Sequence, residues 1–337
     1  MKVLQISPTI GGQSGVGQHV SSLSKMLIEK GFDVSTLSTK NTFYIDVKRL
    51  RNPSFAFFSW LKAKGSEYDL IHAHNVPSAF PMRGTNGKKV LTVHGYYSEQ
   101  ITLLHGGVLG KAARFIEPKM LKWADVVTVV SKSAQEAYRK VGVETIHIPN
   151  AIDLKEMPRE GERIYNRQII FVGRLSREKG IDVLIDAMDE IEDVHLLIVG
   201  SGSERFSLDA NTENRIHVMG EQTWKKTISL IRGSDVLVLP SRTEGLPTVI
   251  LEAMAVGTPV IASAVGGIPE IIETNREGVL VPRNDVKSLT NAIKSVMKDR
   301  KKRAYLAKNA KEKLQREYTW DVVLEKYLKI YKNLLKI

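Results

Sequence analysis

Short apolar runs recur along this chain, and the stretches between them return to apolar residues every third or fourth position. A run of about four to eight apolar residues bounded by glycine, proline or polar clusters reads as a buried strand, whereas the 3.6-residue spacing reads as an amphipathic helix. In the first half such runs fall at 2–6, 33–37, 69–74, 89–94, 125–130 and 144–148. The pattern restarts at 168–172 and continues at 194–199, 215–219, 236–239, 259–262 and 279–281. Strands alternating with helices predict the α/β class with parallel sheets. The polar stretch 154–167 between the two series reads as a linker. It leaves an N-terminal domain over 1–153, a C-terminal domain over 168–318 and an amphipathic helix with a basic side over 319–337.

Two helical stretches of the first half carry more than periodicity. Phe55, Phe57, Phe58, Trp60 and Leu61 form an aromatic cluster whose default reading is core packing. Residues 108–123 project with Leu109, Ala112, Ala113, Ile116, Met120 and Trp123 on one face, and Lys111, Arg114, Lys119 and Lys122 on the other. That basic face is either solvated or a contact for a membrane surface.

Composition narrows the classes. The chain has 337 residues, 42% of them hydrophobic, which is enough for ordinary globular cores. With no cysteine, disulfides, thiolate zinc sites and a Cys nucleophile are excluded. The net charge is +12, and residues 1–165 hold 22 Lys/Arg against 14 Asp/Glu. A basic first half points to an anionic partner: a lipid surface, a phosphorylated substrate or nucleic acid. No stacking-aromatic motif or recognition module accompanies the charge, so nucleic acid is set aside. No run approaches the roughly 18 apolar residues of a membrane span, and the first residues lack the layout of a secretory leader. The expectation is a cytoplasmic protein, either free or peripheral at the cytoplasmic face of a membrane.

The loop Ser7 to Gly17 follows the first strand and contains Gly11, Gly12, Gly15 and Gly17. These glycines miss the GxGxxG spacing, and no acidic residue ends the second strand, which argues against a nicotinamide dehydrogenase. Backbone can still approach a phosphate or sugar there. Histidines fall at the C-terminal ends of predicted strands, the edge where open α/β sheets bind ligands. His94, before Gly95, is the best placed of them. His72 and His74 share a strand face, but no nearby carboxylate marks a metal site. In the second half, Gly173 to Gly180 presents Arg174 and Lys179 on a loop entering a helix, where two cations can converge on one diphosphate. The stretch Ser241 to Ile272 puts Glu244 in a loop and Glu252 inside the helix that follows. Helical rise separates them too far for the 5–5.5 Å carboxyl pair of a retaining glycosidase. They read as two grips on one extended ligand.

Together these residues resemble the retaining glycosyltransferases of the GT-B fold, family 4, also called group 1. Glu244-Gly-Leu-Pro-Thr-Val-Ile-Leu-Glu252 resembles the family's E-x7-E motif, and Val172-Gly-Arg174-Leu with Lys179-Gly180 resembles its phosphate-binding loop. Residues 6–17, 69–74, 92–95 and 148–150 match less specifically, and Ala151 stands where the family usually has glycine. The resemblance implies two Rossmann-like domains facing a cleft, with the C-terminal helix returning toward the N-terminal domain. It implies transfer of a hexosyl group from a UDP-, GDP- or ADP-sugar to an acceptor hydroxyl, with no metal and no further cofactor. The acceptor would be a sugar, glycolipid or lipid-linked glycan, in glycolipid, glycan or cell-envelope polysaccharide synthesis; the basic charge of the first half, apart from the resemblance, adds an anionic membrane surface as a partner of the N-terminal domain. Arg174 and Lys179 would contact the donor diphosphate and Glu252 the ribose. Glu244 and the backbone near Gly245 and Leu246 would hold the sugar, with His94 beside it and Gly12 approaching the phosphates. Loops near Gly200 and Gly220 would contact the base through backbone groups. A GT-B nucleotide-sugar epimerase and a non-catalytic binder of anionic ligands are the alternatives.

Overall fold

The computed structural model describes residues 1–12, 15–47, 50–95, 102, 106–202, 204 and 214–336, with the backbone alone at 108 and 109. The chain divides into two units, Met1–Asn150 with Asp321–Ile337 and Ala151–Trp320. The polar stretch 154–167 lies in the second unit and is tied into it. The Glu162 N–H donates to the Ser229 carbonyl at 2.8 Å, and Arg163 reaches both oxygens of Asp235 at 3.0 and 3.1 Å. Glu162 also pairs with Lys226, so this end of the stretch is fixed to the second unit. Ala151 keeps an ordinary negative φ, so alanine costs nothing at the position where the family has glycine.

Each unit contains one six-stranded parallel sheet. The first has β1 (Lys2–Ile6), β2 (Asp33–Leu37), β3 (Glu67–His74), β4 (Asn86–Val93), β5 (Val126–Val129) and β6 (Ile146–His147), in the order β2-β1-β3-β4-β5-β6. The second has β7 (Gln168–Val172), β8 (His195–Val199), β9 (Ile216–Gly220), β10 (Val236–Leu239), β11 (Val260–Ser263) and β12 (Val279–Val281), in the order β12-β11-β10-β7-β8-β9. In both, the winding direction reverses beside the unit's first strand, between β1 and β3 and between β7 and β10. Loops at the C-terminal ends of such a strand pair diverge and leave a crevice, the usual ligand position of a doubly wound sheet.

The two faces of the first sheet differ in chemistry. One is apolar: Leu4, Ile6, Ile71, Ala73, Leu91 and Val93 pack under Phe55, Met82, Leu121 and Tyr138. The other carries Gln5, His72, His74, Thr92 and Thr128, all fully buried. Register puts them in one layer, with Gln5 beside His72, His74 beside Thr92 and Thr92 beside Thr128. The helices Gly15–Glu29 and Trp320–Leu335 supply partners to this layer through His19, Tyr327 and Tyr331. His72 bonds the Tyr331 hydroxyl through Nδ1 and the Thr92 hydroxyl through Nε2, both at 2.6 Å. A buried polar layer is tolerated only when its members satisfy one another.

Two expectations fail on this unit. Of the aromatic cluster, Phe55 enters the core, but Phe57 and Leu61 face solvent, because the helix Arg51–Ala63 buries the stripe Phe55, Ala56, Ser59 and Ala63. The helix Gly107–Leu121 turns inward on Gly110, Glu117 and Leu121, which leaves Ala112 and Ile116 on the exposed side. The Tyr138 hydroxyl donates to Glu117, so a carboxylate rather than an apolar ridge is the inward group. The side chain of Leu109 lies outside the described residues.

Burial pushes the His72 imidazole down to about 3 and that of His94 to about 4, and takes His19 and His74 well below the usual range. Neighbouring imidazoles reinforce the shift at His19, His72 and His74. The unfolded chain therefore binds more protons below the ordinary value of about 6.5, and stability falls as pH drops from there through the folded values. The expected loss is on the order of 1.4 kcal/mol per pH unit for each histidine. Urea unfolding at about pH 7, 6 and 5 reads it as a falling midpoint; a constant midpoint would contradict a buried neutral layer.

Candidate functional site

The residues named by the motifs gather at the switch point of the second sheet. The loop after β7 runs past Arg174, tightens into the 3-10 turn Arg177–Lys179 and passes through Gly180 into the helix Ile181–Met188. The loop after β10 carries Ser241, Arg242 and Glu244, then reaches the helix Thr248–Val256. Pro247 is the N-cap of that helix and Gly257, in the left-handed region, its C-cap. Between the two loops, Lys179 Nζ donates to Glu244 Oε1 at 2.7 Å, and the Ser241 hydroxyl donates to the same oxygen at 2.7 Å. The Glu244 side chain is 8% exposed and that of Lys179 20%, so this ion pair is largely withdrawn from water.

The backbone fixes the two loops against each other. Gly180 has φ +65°, and a Cβ there would stand 2.2 Å from the Pro240 carbonyl oxygen. Gly266, at φ +54°, would bring a Cβ to 1.8 Å from the Glu244 carbonyl oxygen. Beside it the Gly267 N–H donates to the Gly245 carbonyl at 2.8 Å, while Leu246 is buried. Arg242 ties the same corner: its guanidinium bonds both Asp182 oxygens at 2.6 and 2.9 Å and the Arg177 carbonyl at 2.7 Å. That two-point contact holds the Asp182 carboxyl below its usual range.

The other predicted residues sit as follows. Arg174 projects into solvent, 64% exposed, with Nη1 3.8 Å from Glu178 Oε1 rather than on Glu244. Glu252 is buried in the helix and accepts the Trp224 indole N–H at 3.0 Å. Burial raises its pKa, and the indole bond opposes the rise. Gly200 follows β8, and its N–H donates to the carbonyl of Gly220, which ends β9, at 2.9 Å. In the first unit Gly12 lies exposed at φ +75°, with its carbonyl accepting from Gln18. His94 follows β4, with Nε2 3.2 Å from His74 Nδ1, and the other nitrogen of His74 is 2.8 Å from Gln5 Oε1.

That last chain sets a tautomer. Gln5 Oε1 can only accept, so His74 carries its proton on Nε2 and offers Nδ1 as an acceptor. His94 must then donate from Nε2, and a side-chain bond with Asn150 opposes the fall that burial causes in its pKa. Among the described residues, ring nitrogens of His19, His74 and His94 lie within 4.8 Å of one another. Zinc with about 2.0–2.1 Å bonds needs its ligand nitrogens closer than that. Both nitrogens of His74 are also engaged, so the trio fits a hydrogen-bond network better than a metal centre.

Several participants escape motif reading. Trp224, Arg242 and Asp182 have no spacing signature, since only the fold brings them to Glu252 and the Lys179 turn. Asn75 is another: it holds φ +65° and ψ 157°, a region glycine favours, while its side-chain oxygen accepts the His94 N–H at 3.0 Å. A strained non-glycine residue at a strand end is a mark of a functional edge.

Residues 13–156 match the family model described as Glycosyltransferase Family 4, and residues 155–313 match Glycosyl transferases group 1. The two models tile most of the chain in the order of its two sheets. The chain belongs to the group 1, family 4 glycosyltransferases. Its relatives include the phosphatidyl-myo-inositol mannosyltransferase of Mycolicibacterium smegmatis, 27% identical over 95% of this chain and 90% of that one. Among solved structures, sucrose-phosphate synthase from Thermosynechococcus elongatus superposes with a TM-score of 0.82 at 24% identity, covering 99% of each chain. Anabaena HepE in complex with UDP-glucose superposes at 0.74 with 20% identity, covering 99% of this chain and 100% of that one. This glycosyltransferase therefore has the GT-B fold, with two Rossmann-like domains.

The ion pair of the glycosyltransferase makes its two cations unequal in stability. Lys179→Met strands a nearly buried carboxylate and should cost about 2–3 kcal/mol, somewhat below a fully buried pair because water reaches Lys179. Arg174→Ala changes an exposed side chain and should stay within about 0.5 kcal/mol of the parent. Urea titrations of the two variants side by side test this, and equal midpoints would remove the pair from the account of stability.

Proposed function

We propose that this glycosyltransferase moves a hexosyl group from a nucleoside-diphosphate sugar to an acceptor hydroxyl, with retention of configuration and without a divalent metal. The observation that carries the reading is the Lys179–Glu244 pair held between two loops at the switch point of the second sheet. A cation and a carboxylate fixed side by side suit a ligand that has a diphosphate at one end and sugar hydroxyls at the other. The family resemblance assigns Lys179 and Arg174 to the diphosphate, Glu244 with the Gly245 and Leu246 backbone to the sugar, and Glu252 to the ribose. The same resemblance assigns the loops near Gly200 and Gly220 to the base, through backbone groups. UDP-glucose in HepE makes a uridine diphosphate sugar the first donor to try. The mannosyltransferase relative, which by its name acts on phosphatidyl-myo-inositol, supports a glycolipid acceptor.

In the reaction the bond from the anomeric carbon to the phosphate oxygen breaks, and a bond to the acceptor oxygen forms on the same face. The acceptor's proton passes to the departing phosphate. Negative charge grows on the bridging oxygen as this happens, and preorganised cations at that position lower the barrier. Arg174 and Lys179 fill that role. His94 is neutral at physiological pH, so it places no charge beside the sugar. Gly12 has no side chain to obstruct a phosphate.

Arg174→Ala should lower turnover by about two to four powers of ten while the fold persists. Near-normal turnover would remove Arg174 from the diphosphate.

Proton NMR of the product should show the donor's anomeric configuration, formed equally well in EDTA. An inverted product, or activity lost in EDTA and restored by magnesium or manganese, would overturn the proposed mechanism. Donor incubated without acceptor should return unchanged; a new sugar epimer would identify an epimerase instead.

A further inference from the structure

Of the fifteen large hydrophobic side chains exposed among the described residues, twelve lie in the first unit, and six of those fall between Phe43 and Leu61. The inner stripe of the helix Arg51–Ala63 is fully engaged in the core, as an ordinary surface helix requires. Its outer face, however, is apolar as well. Leu50, Phe57 and Leu61 recur at helical spacing along it, each about half exposed. Residues 43–47 lie against this helix: the Phe43 and Phe58 rings meet edge to face at 4.7 Å, and the Ile45 N–H donates to the Ser54 hydroxyl at 2.9 Å. Phe43 itself is 66% exposed. A helix that is apolar on both faces is normally covered on both.

We infer that this outer face is a docking surface for an anionic lipid bilayer. Charge selects that occupant. Arg51, Lys62 and Lys64 are exposed at the ends of the stripe, and Asp46 is the acid facing them, 3.7 Å from Arg51. The Lys64 ammonium lies over the Trp60 ring at 5.4 Å, an amphipathic pairing suited to headgroup depth. Phenylalanine and leucine side chains between such cations can enter the acyl boundary while the ammonium and guanidinium groups meet lipid phosphates. The helix Gly107–Leu121 also has exposed cations, but two large apolar side chains, Phe115 and Ile116, are exposed among its described residues, against six between Phe43 and Leu61. This inference does not rest on the transfer chemistry.

The test is co-sedimentation of the full chain with vesicles of phosphatidylcholine alone or with about a third phosphatidylglycerol. Wild type should bind the anionic vesicles at low salt and release as salt rises. Phe57→Ser with Leu61→Ser should cut partitioning about ten-fold or more, as should Arg51→Gln with Lys62→Gln and Lys64→Gln. Glutamine at Lys111, Arg114, Lys119 and Lys122 should leave most of the binding. Failure of the wild type to bind, or binding lost only with the last set, would overturn the assignment. So would a dimer, seen by sedimentation velocity, that Phe57→Ser with Leu61→Ser dissolves without changing vesicle binding. Turnover on a water-soluble acceptor, measured in parallel, should be unchanged in the patch variants, so the transferase reading and the docking surface fail separately.

Discussion

The second unit depends on backbones that touch. At the switch point of its sheet, the turn after β7 rests on the Pro240 carbonyl through Gly180, and the 265–267 loop rests on the Glu244 carbonyl through Gly266. Neither contact leaves room for a Cβ, and both glycines use positive φ. Close packing of main chain sets the separation of the two loops before any side chain is considered. Lys179 and Glu244 then meet at bonding distance as a consequence, and Arg242 reaches Asp182 across the same corner. Under the proposed function this rigidity matters, because cations that need not reorganise stabilise a departing diphosphate most.

The first unit solves a different problem by different means. Its sheet has one apolar face, and on the other a layer of glutamine, histidine and threonine under two buried tyrosines. Buried imidazoles avoid the cost of a buried charge by staying neutral, and each then offers one donor and one acceptor. Chains of such groups have few consistent proton arrangements, and the one here has His94 donating to His74. Asn75, strained at the adjoining strand end, anchors the His94 backbone. The second unit thus relies on ion pairing, whereas this unit relies on neutral polarity.

The surface of the first unit also departs from the pattern expected of a free globular domain. An apolar face on the helix Arg51–Ala63, flanked by cations, is retained where a polar face would be more soluble. The helix Gly107–Leu121 exposes Phe115 and Ile116 beside its cations as well, so the number of exposed apolar side chains, rather than basicity, separates it from the surface between Phe43 and Leu61.

The sequence by itself determined the α/β class and the twelve strand positions, because period-specific burial is written into local order: β7, at 168–172, needs no distant residue to be recognised. It also placed Arg174, Lys179, Glu244 and Glu252 in family motifs, since each motif spans a single loop or helix. Tertiary structure decided what these residues touch. Glu252 meets Trp224, which is 28 positions away, and no periodicity signals that partnership. The same limit explains Phe57 and Ile116: an apolar residue on a helix shows spacing, but which of two apolar stripes turns inward depends on the sheet beneath. Local sequence sets secondary structure through short-range sterics and solvation, whereas ion pairs, tautomers and exposed faces arise from groups that only the folded chain brings within a few ångströms.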